Sequence, residues 1–419
     1  MANTPDGSSS DQMRNTEPQT PENGPLAGLR VVDLGRVVAG PLAAMILGDL
    51  GADVIKVEPA PDGDFIRHVE PSFTPGMGSY FATVNRNKRS VLADLRKPGG
   101  KKLLAALIGE ADVVVENFRP GVMEAMGFDP AELVAQHPRL IVARQSAYGA
   151  TGPDARKPGV DQIIQGVSGF MSVTGTLESG PTRAGIAISD VLCALCGAIA
   201  IQGALAERER TGRGQVVTGS LLESMLGLMS VQAGKYFATG AAPAPEGNHH
   251  PVVSPYGLFP TSDGHVQLQV MHDRNFRELV RVLDKPEWLD DTRFNSTAAR
   301  SSHRDAMREA VTEATLGWST DDLLIELEAA DIPSGPVLDL AEAYEMDQSK
   351  ARDMVQQMVL GDGAPLRLPG FPFKLEKGPH LRRPPPLPGE HTEEVLAELG
   401  LTEDEEIVEA VSPRPRSAP

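Results

Sequence analysis

Cysteine is almost missing from this chain: there are two in 419 residues, Cys193 and Cys196. So few exclude a disulfide-stapled scaffold. Their C-x-x-C spacing has no further cysteines and no basic neighbours, so neither a zinc site nor a redox dithiol fits and two buried thiols are expected. Aromatics are scarce at 5%, which leaves the core to aliphatic side chains. Cations are in the minority, 39 Lys and Arg against 57 Asp and Glu, for a net charge of −18. That balance argues against nucleic acid or an anionic membrane as partners, although a phosphorylated ligand needs only a local basic patch. No window makes a convincing membrane span and nothing reads as a signal peptide, so a cytoplasmic enzyme is the expectation. His249-His250 has no third ligand at metal spacing, so no metal is expected.

Glycine (42) and proline (35) are plentiful instead, implying tight turns and close backbone approaches. Residues 1–25 are polar and nearly free of aliphatics, which predicts a disordered tail. Order begins with a strand at Leu29–Leu34, a glycine-bearing turn, a helix from Ala39 and a second strand at Ala52–Glu58. Strands at Ser90–Leu95, Ala111–Glu116 and Leu140–Gln145 alternate with helices, the pattern of a doubly wound parallel sheet. The texture becomes loop-rich near residue 240. These features divide the chain into the tail (1–25), the N-terminal part of a large Rossmann-like α/β domain (26–224), a smaller α+β domain (225–325), a return segment completing the large domain (326–405) and a flexible tail (406–419).

The first turn, Leu34-Gly35-Arg36-Val37-Val38-Ala39-Gly40-Pro41, is not G-x-G-x-x-G, and no G-K-[ST] occurs, so dinucleotide and P-loop sites are not expected. A backbone-lined pocket for another nucleotide remains open there. Three cationic clusters lie beside predicted strands: Asn85–Ser90, Arg96-Lys97 and Glu116–Gly121. Solvated loop charge is the plainer reading, but in so acidic a chain three clusters at one sheet's edges suggest an anion site.

Asp190 stands before a run with no charge until Glu207. Such a run reads as a helix buried on every side. A carboxylate at its head meets unpaired N–H groups and the positive end of the helix dipole. Pattern alone leaves two readings, an N-cap or a carboxylate nucleophile held in a dry site. Asp161, by itself, would be another N-cap.

Taken in order, LRVVDLGRVVAGPLAAMILGDLGADVIKVEP, NRNKRS, DVVVENFRPGVMEAMG, GVDQIIQGVSGFMSVTG, PTRAGIAISD, ERERTGRGQ, DIPSGPV and PPPLPGEHTEEVL resemble the class III CoA-transferases, from about Pro25 to Leu401. The resemblance implies an enzyme that moves CoA from an acyl-CoA, possibly succinyl-CoA, to a free carboxylic acid. It would work through an aspartyl anhydride and an aspartyl-CoA thioester, with no permanently bound cofactor and CoA thioesters as substrates. It implies Asp190 as the catalytic residue and CoA contacts at Val37, Val38, Ala39, Asp94, Arg96, Asn117, Phe118 and Arg119. Asp161, Arg183, Asn248 and His249 are auxiliary candidates, with backbone N–H groups near Gly185 or the Gly247 loop to receive an oxyanion. It also implies a homodimer of two interlocked chains. Where formyl-CoA transferase has a glutamine this turn has Val38, and a CoA-contacting arginine of that enzyme falls on Ala125, which makes formyl-CoA and oxalate poor expectations. The alternative within the same fold is an α-methylacyl-CoA racemase. Its histidine base falls on Val160 and its glutamate near His272, and a valine cannot move a proton. The stretch Pro181–Gly185 resembles succinyl-CoA:dicarboxylate transferases, and Arg183 could either pair with a distal carboxylate or bind backbone carbonyls.

Overall fold

Strand alternation explains the architecture. In the computed structural model, which describes residues 24–411, six strands form one parallel sheet: β1 (Arg30–Asp33), β2 (Asp53–Pro59), β3 (Lys88–Ala93), β4 (Val113–Glu116), β5 (Ile141–Ser146) and β6 (Val216–Ser220). Their order is β3-β2-β1-β4-β5-β6, so the strand order reverses between β1 and β4, where doubly wound folds open a binding crevice. Successive residues face opposite sides. Val31, Val54, Val113 and Val115 pack with Ala44 and Leu47 of helix α1 (Ala39–Asp49) and Ile201 of a later helix. Val32, Ile55, Val91 and Val114 pack on the other side with Leu103 and Leu107 of α2 (Pro98–Gly109) and with Val395 and Ile407 near the chain's end. Both faces are covered, which is why these strands read as continuous Val/Ile runs. A short helix, α3 (Pro130–Gln136), capped by Asp129, leads into β5.

The long apolar helix, α4, runs Ile188–Thr211. It differs from its expected form in two ways. Asp190 is inside its first turn rather than preceding it, and burial is one-sided: Cys193, Ala194, Ala198 and Ile201 are buried, whereas Leu195 is 41% and Ile199 68% exposed. One face of the helix meets the sheet, closely where its residues are small: a Cβ on Gly197 would overlap Gln145 Nε2 of β5. Of the two thiols, Cys193 is buried and Cys196 half-buried. Among the described residues α4 is the one helix long and apolar enough to cross a membrane, by length and composition only.

A second compact unit comprises Gly159–Ser189 and Leu222–Val355. Its antiparallel sheet joins β7 (Tyr256–Pro260), β8 (His265–Gln269) and β9 (Ser334–Pro336) in the order β9-β8-β7. Four of the chain's aromatic residues are buried here: Phe259, Phe276, Trp288 and Phe294 pack with Leu279, Met307, Val311 and Leu327. At the other end, the stretch expected to be flexible from 406 is helical through Val411, because Ile407, Ala410 and Val411 bury against the first unit. Residues 1–23 and 412–419, the rest of the two expected tails, lie outside the described residues.

Charge is buried beneath the first sheet. Glu58 is fully enclosed and accepts two 2.7 Å hydrogen bonds from Arg67 and one of 2.6 Å from Ser90 Oγ. Burial raises the Glu58 carboxyl, but Arg67 first, then Lys56 and Ser90, overcome this and bring it from 4.5 down to about 2. Between those values the unfolded chain holds the proton and the folded one does not, so the stabilisation is complete above pH 4.5 and lost as pH falls toward 2. Roughly 3 kcal/mol is at stake across the window. Glu58→Gln should lower the urea midpoint at pH 7 yet flatten its decline between about pH 5 and 3 relative to the wild type. Parallel declines for the two proteins would refute this role of Glu58.

Candidate active site

The turn after β1 is held residue by residue. Leu34 N–H donates to Val115 O of β4 at 2.8 Å, Gly35 N–H to Asp33 Oδ1 at 2.8 Å, and Lys56 Nζ to Gly35 O at 2.7 Å. Arg36 and Asn117 exchange two hydrogen bonds of 2.8 Å, backbone N–H to Asn117 Oδ1 and Asn117 Nδ2 to Arg36 O. The loops leaving β1 and β4 are thereby joined at the switch point. Val37 follows with φ of +64°, a conformation that a β-branched residue rarely takes. Val38 and Ala39 are buried at the head of α1, where Val38 offers no side-chain cap, leaving the helix's first N–H groups without an intrahelical acceptor.

At the end of β4, Glu116 organises Phe118. Its Oε2 accepts the Phe118 N–H at 2.7 Å and its Oε1 accepts Arg144 Nε at 2.8 Å. Burial holds Glu116 above the usual carboxylate range in spite of Arg144. The Arg36 guanidinium lies 5.3 Å from the Phe118 ring centre. These residues border a cavity of about 800 Å³ at the carboxyl ends of β2, β3 and β4, with Asp94, Arg96, Phe118 and Arg119 in its wall. Val37, Val38, Ala39 and Asn117 are not in that wall. Arg36 and Lys101 are, and neither is singled out by the sequence; Lys101 sits in the first turn of α2, where a lysine reads as ordinary solvated charge. Glu58 and Asp94 also line the cavity, but Glu58 is matched by Arg67 and Asp94 by Arg96 at 2.8 Å. Arg36, Lys101 and Arg119 therefore tip the wall cationic in a chain of net charge −18.

The Asn85–Ser90 cluster is a correction. Its cations turn inward: Arg86 pairs with Asp49 at 2.7 Å, Lys88 with Asp33 at 2.8 Å, and Arg89 with Asp53 and Glu398, each at 2.6 Å. They fasten β3 to the sheet and to the C-terminal segment rather than facing an anion. Burial brings Lys88 down to about 8, against the pull of Asp33.

Asp161 does not cap its own helix, Asp161–Val167, which follows Val160. Its Oδ1 accepts both the N–H (2.9 Å) and the hydroxyl (2.7 Å) of Ser189, the residue before Asp190. Its Oδ2 accepts Gln165 Nε2 at 2.7 Å, and Gln165 Oε1 accepts the Ala184 N–H at 2.9 Å. One carboxylate and one amide thus pin the strand of chain from Ala184 to Ser189. Arg183 is exposed and donates from Nη1 to Ala184 O at 2.9 Å; no carboxylate pairs with it among the described residues. Gly247 N–H donates to Gly175 O at 2.8 Å, so it is not available to an oxyanion. Asn248 O accepts the Leu258 N–H. The His249 ring stands edge-on to Phe259 at 5.3 Å, and burial, with Arg308 nearby, lowers it to about 4.

The sequence profile of CoA-transferase family III matches residues 26–392. The succinate–glutarate CoA-transferase of Agrobacterium fabrum is 38% identical over 90% of this chain and 96% of its own length. The acetyl-CoA:oxalate CoA-transferase of Acetobacter aceti is 37% identical over 86% of this chain and 92% of its own. The human succinyl-CoA:glutarate CoA-transferase is 32% identical over 93% and 89%. Among solved structures, a CAIB/BAIF family protein from Brucella suis superposes with a TM-score of 0.81 at 38% identity, covering 90% of this chain and all of that one. With full-length relatives of this kind around the same doubly wound sheet, the chain belongs to CoA-transferase family III and is an enzyme that transfers CoA between an acyl-CoA and a carboxylic acid.

Proposed function

We propose that Asp190 carries the transfer as a covalent nucleophile; the observation that supports this most is the Asp161–Ser189 clamp, which fixes the backbone entering the first turn of α4 one residue before it. Asp190 attacks the donor thioester carbonyl, the C–S bond breaks and CoA leaves as thiolate, giving a mixed aspartyl anhydride. The thiolate then attacks the aspartyl carbonyl, releasing the donor acid as carboxylate and leaving an aspartyl-CoA thioester. The acceptor carboxylate attacks that thioester, expels the thiolate and forms a second anhydride. Thiolate attack on the acceptor carbonyl releases the new acyl-CoA and restores Asp190. Each step exchanges acyl derivatives of comparable reactivity, so no other energy source is needed. The α4 dipole favours the ionised carboxylate, and the Gly185 backbone is the remaining candidate for the oxyanion.

In the same reading the cavity takes the phosphorylated end of CoA. Arg36, Lys101 and Arg119 supply charge, Arg96 and Asp94 border the cavity as a pair, Phe118 supplies an aromatic face, and Val37, Val38 and Ala39 meet the pantetheine arm. At least one acid is dicarboxylic. The relatives described above are named for glutarate and oxalate, both dicarboxylic acids, and Arg183 keeps donors beyond the one given to Ala184 O. The assembly is an interlocked homodimer. The exposed Leu195–Ile199 stripe of α4 is apolar surface that a second copy of the chain would cover.

Asp190→Ala should reduce turnover by about 10⁴-fold or more and still bind CoA, whereas Asp161→Ala should lose no more than about 10²-fold. Hydroxylamine should inactivate the wild type only with acyl-CoA present, and peptide mass mapping should place the hydroxamate at residue 190. Substantial turnover in Asp190→Ala, or a hydroxamate at Asp161, would overturn the mechanism. In a donor-by-acceptor matrix read by chromatography, Arg183→Lys should lower kcat/KM for succinyl-CoA by about tenfold or more, the scale of a charged hydrogen bond, and spare acetyl-CoA. Unchanged succinyl-CoA turnover, or reaction with monocarboxylates alone, would end the dicarboxylate assignment. Sedimentation at micromolar protein should show a dimer; a folded, active monomer would refute interlocking.

A further inference from the structure

We propose that Asp64 is a positioning residue of the transfer reaction: its buried carboxylate clamps Val37 in the left-handed conformation and so sets the head of α1 for the CoA thioester. This rests on the reading that the 37–39 turn contacts CoA. Val37 is the only residue of the 34–38 turn with a positive φ, +64°, and a β-branched side chain makes that conformation strained. Such a conformation persists where the surroundings over-determine it. Here they do. The residue before it is held by Asn117, and the Val37 N–H itself donates to Asp64 Oδ2 at 3.2 Å.

Asp64 is equipped for that task. It is 2% exposed. Its Oδ1 accepts the Ile66 N–H at 3.3 Å, and its own N–H donates to Glu58 Oε2 at 2.9 Å. Lys56 Nζ lies 3.7 Å from Asp64 Oδ2 and 3.7 Å from Asp33 Oδ2 while donating to Gly35 O at 2.7 Å. The lysine thus offsets the buried charge of Asp64 and holds the other end of the same turn. Glu58, to which Asp64 is tied, also lines the cationic cavity. The peptide plane following Val37 carries the Val38 N–H, at the uncapped start of α1. Relaxing Val37 to the ordinary helical or extended region would rotate that plane and redirect the groups that follow it.

The test is a double-mutant cycle on the full chain with Asp64→Ala and Val37→Gly, reading KM for acyl-CoA, kcat and melting temperature. Glycine adopts a positive φ freely, so in its presence a clamp is redundant. Asp64→Ala in the Val37 background should raise KM for acyl-CoA about tenfold, the scale of one hydrogen bond to a charged group, with kcat changed less than about threefold. In the Val37→Gly background the same substitution should change KM less than about twofold. Asp64→Ser, whose shorter hydroxyl can still accept the Ile66 N–H but falls short of Val37, substitutes for Asp64→Ala if the latter does not fold. An equal rise in KM in both backgrounds, or a lowered melting temperature with KM untouched by Asp64→Ala alone, would overturn the clamp. If Val37→Gly, Asp64→Ala and their combination all leave KM unchanged while Asp190→Ala is inactive, the contact between turn and CoA falls, and the proposal with it.

Discussion

The exchange of two hydrogen bonds between Asn117 and the Arg36 backbone joins the two halves of the sheet where they need joining. In a doubly wound fold the crevice opens because helices leave adjacent strands in opposite directions. The loops at that point have no ladder to hold them. One side-chain amide supplies both a donor and an acceptor in the geometry of a peptide group, so the ladder is in effect extended by one rung. Because Arg36 is gripped by its backbone, its guanidinium remains in the cavity wall beside Phe118. Gly40 shows how tightly this is built: a Cβ there would approach Gly35 Cα at 3.0 Å and Asn117 Cγ at 3.3 Å.

How far the sequence alone reaches follows from what kind of signal each feature leaves. The strands at 30–33, 53–59 and 113–116 are runs of Val and Ile bounded by polar or glycine residues, a local signal that survives in any context. Helix α4 was legible as a helix for the same reason, but not its surroundings. Composition says that a residue avoids water, not which partner removes it, and Ile199 is apolar yet exposed in the single chain. The cation clusters show the limit most plainly. Arg86, Lys88 and Arg89 are as basic as Arg119, and nothing local distinguishes them. Their partners Asp49, Asp33, Asp53 and Glu398 lie between 36 and 309 positions away. Only the fold decides which cations are already spent.

The same distance problem hid the part played by Asp161. Read locally it is a helix cap, and its position at a helix start makes that natural. Its two oxygens instead serve Ser189, 28 residues on, and Gln165, which in turn reaches Ala184. A carboxylate with two lone-pair sites per oxygen can satisfy several donors at once, and here it orders a loop that has no regular structure of its own. Family resemblance directs attention to Asp190 but leaves silent what orients the backbone before it.

A chain of net charge −18 that handles a polyanionic carrier faces repulsion at long range, and its acids and bases are not evenly spent. The buried carboxylates Asp33, Asp49 and Glu58 each meet a lysine or arginine within 2.8 Å. Burial would raise Asp33, but Lys56 and Lys88 hold it below the ordinary carboxylate range, so the interior keeps its anions matched. At the cavity the balance reverses: with Glu58 and Asp94 occupied, Arg36, Lys101 and Arg119 present charge to a partly enclosed, low-dielectric wall. There a few cations act more strongly than many solvated carboxylates, whose field is screened within about 8–10 Å at ordinary salt. Local pairing, not net charge, therefore sets the field that this wall presents.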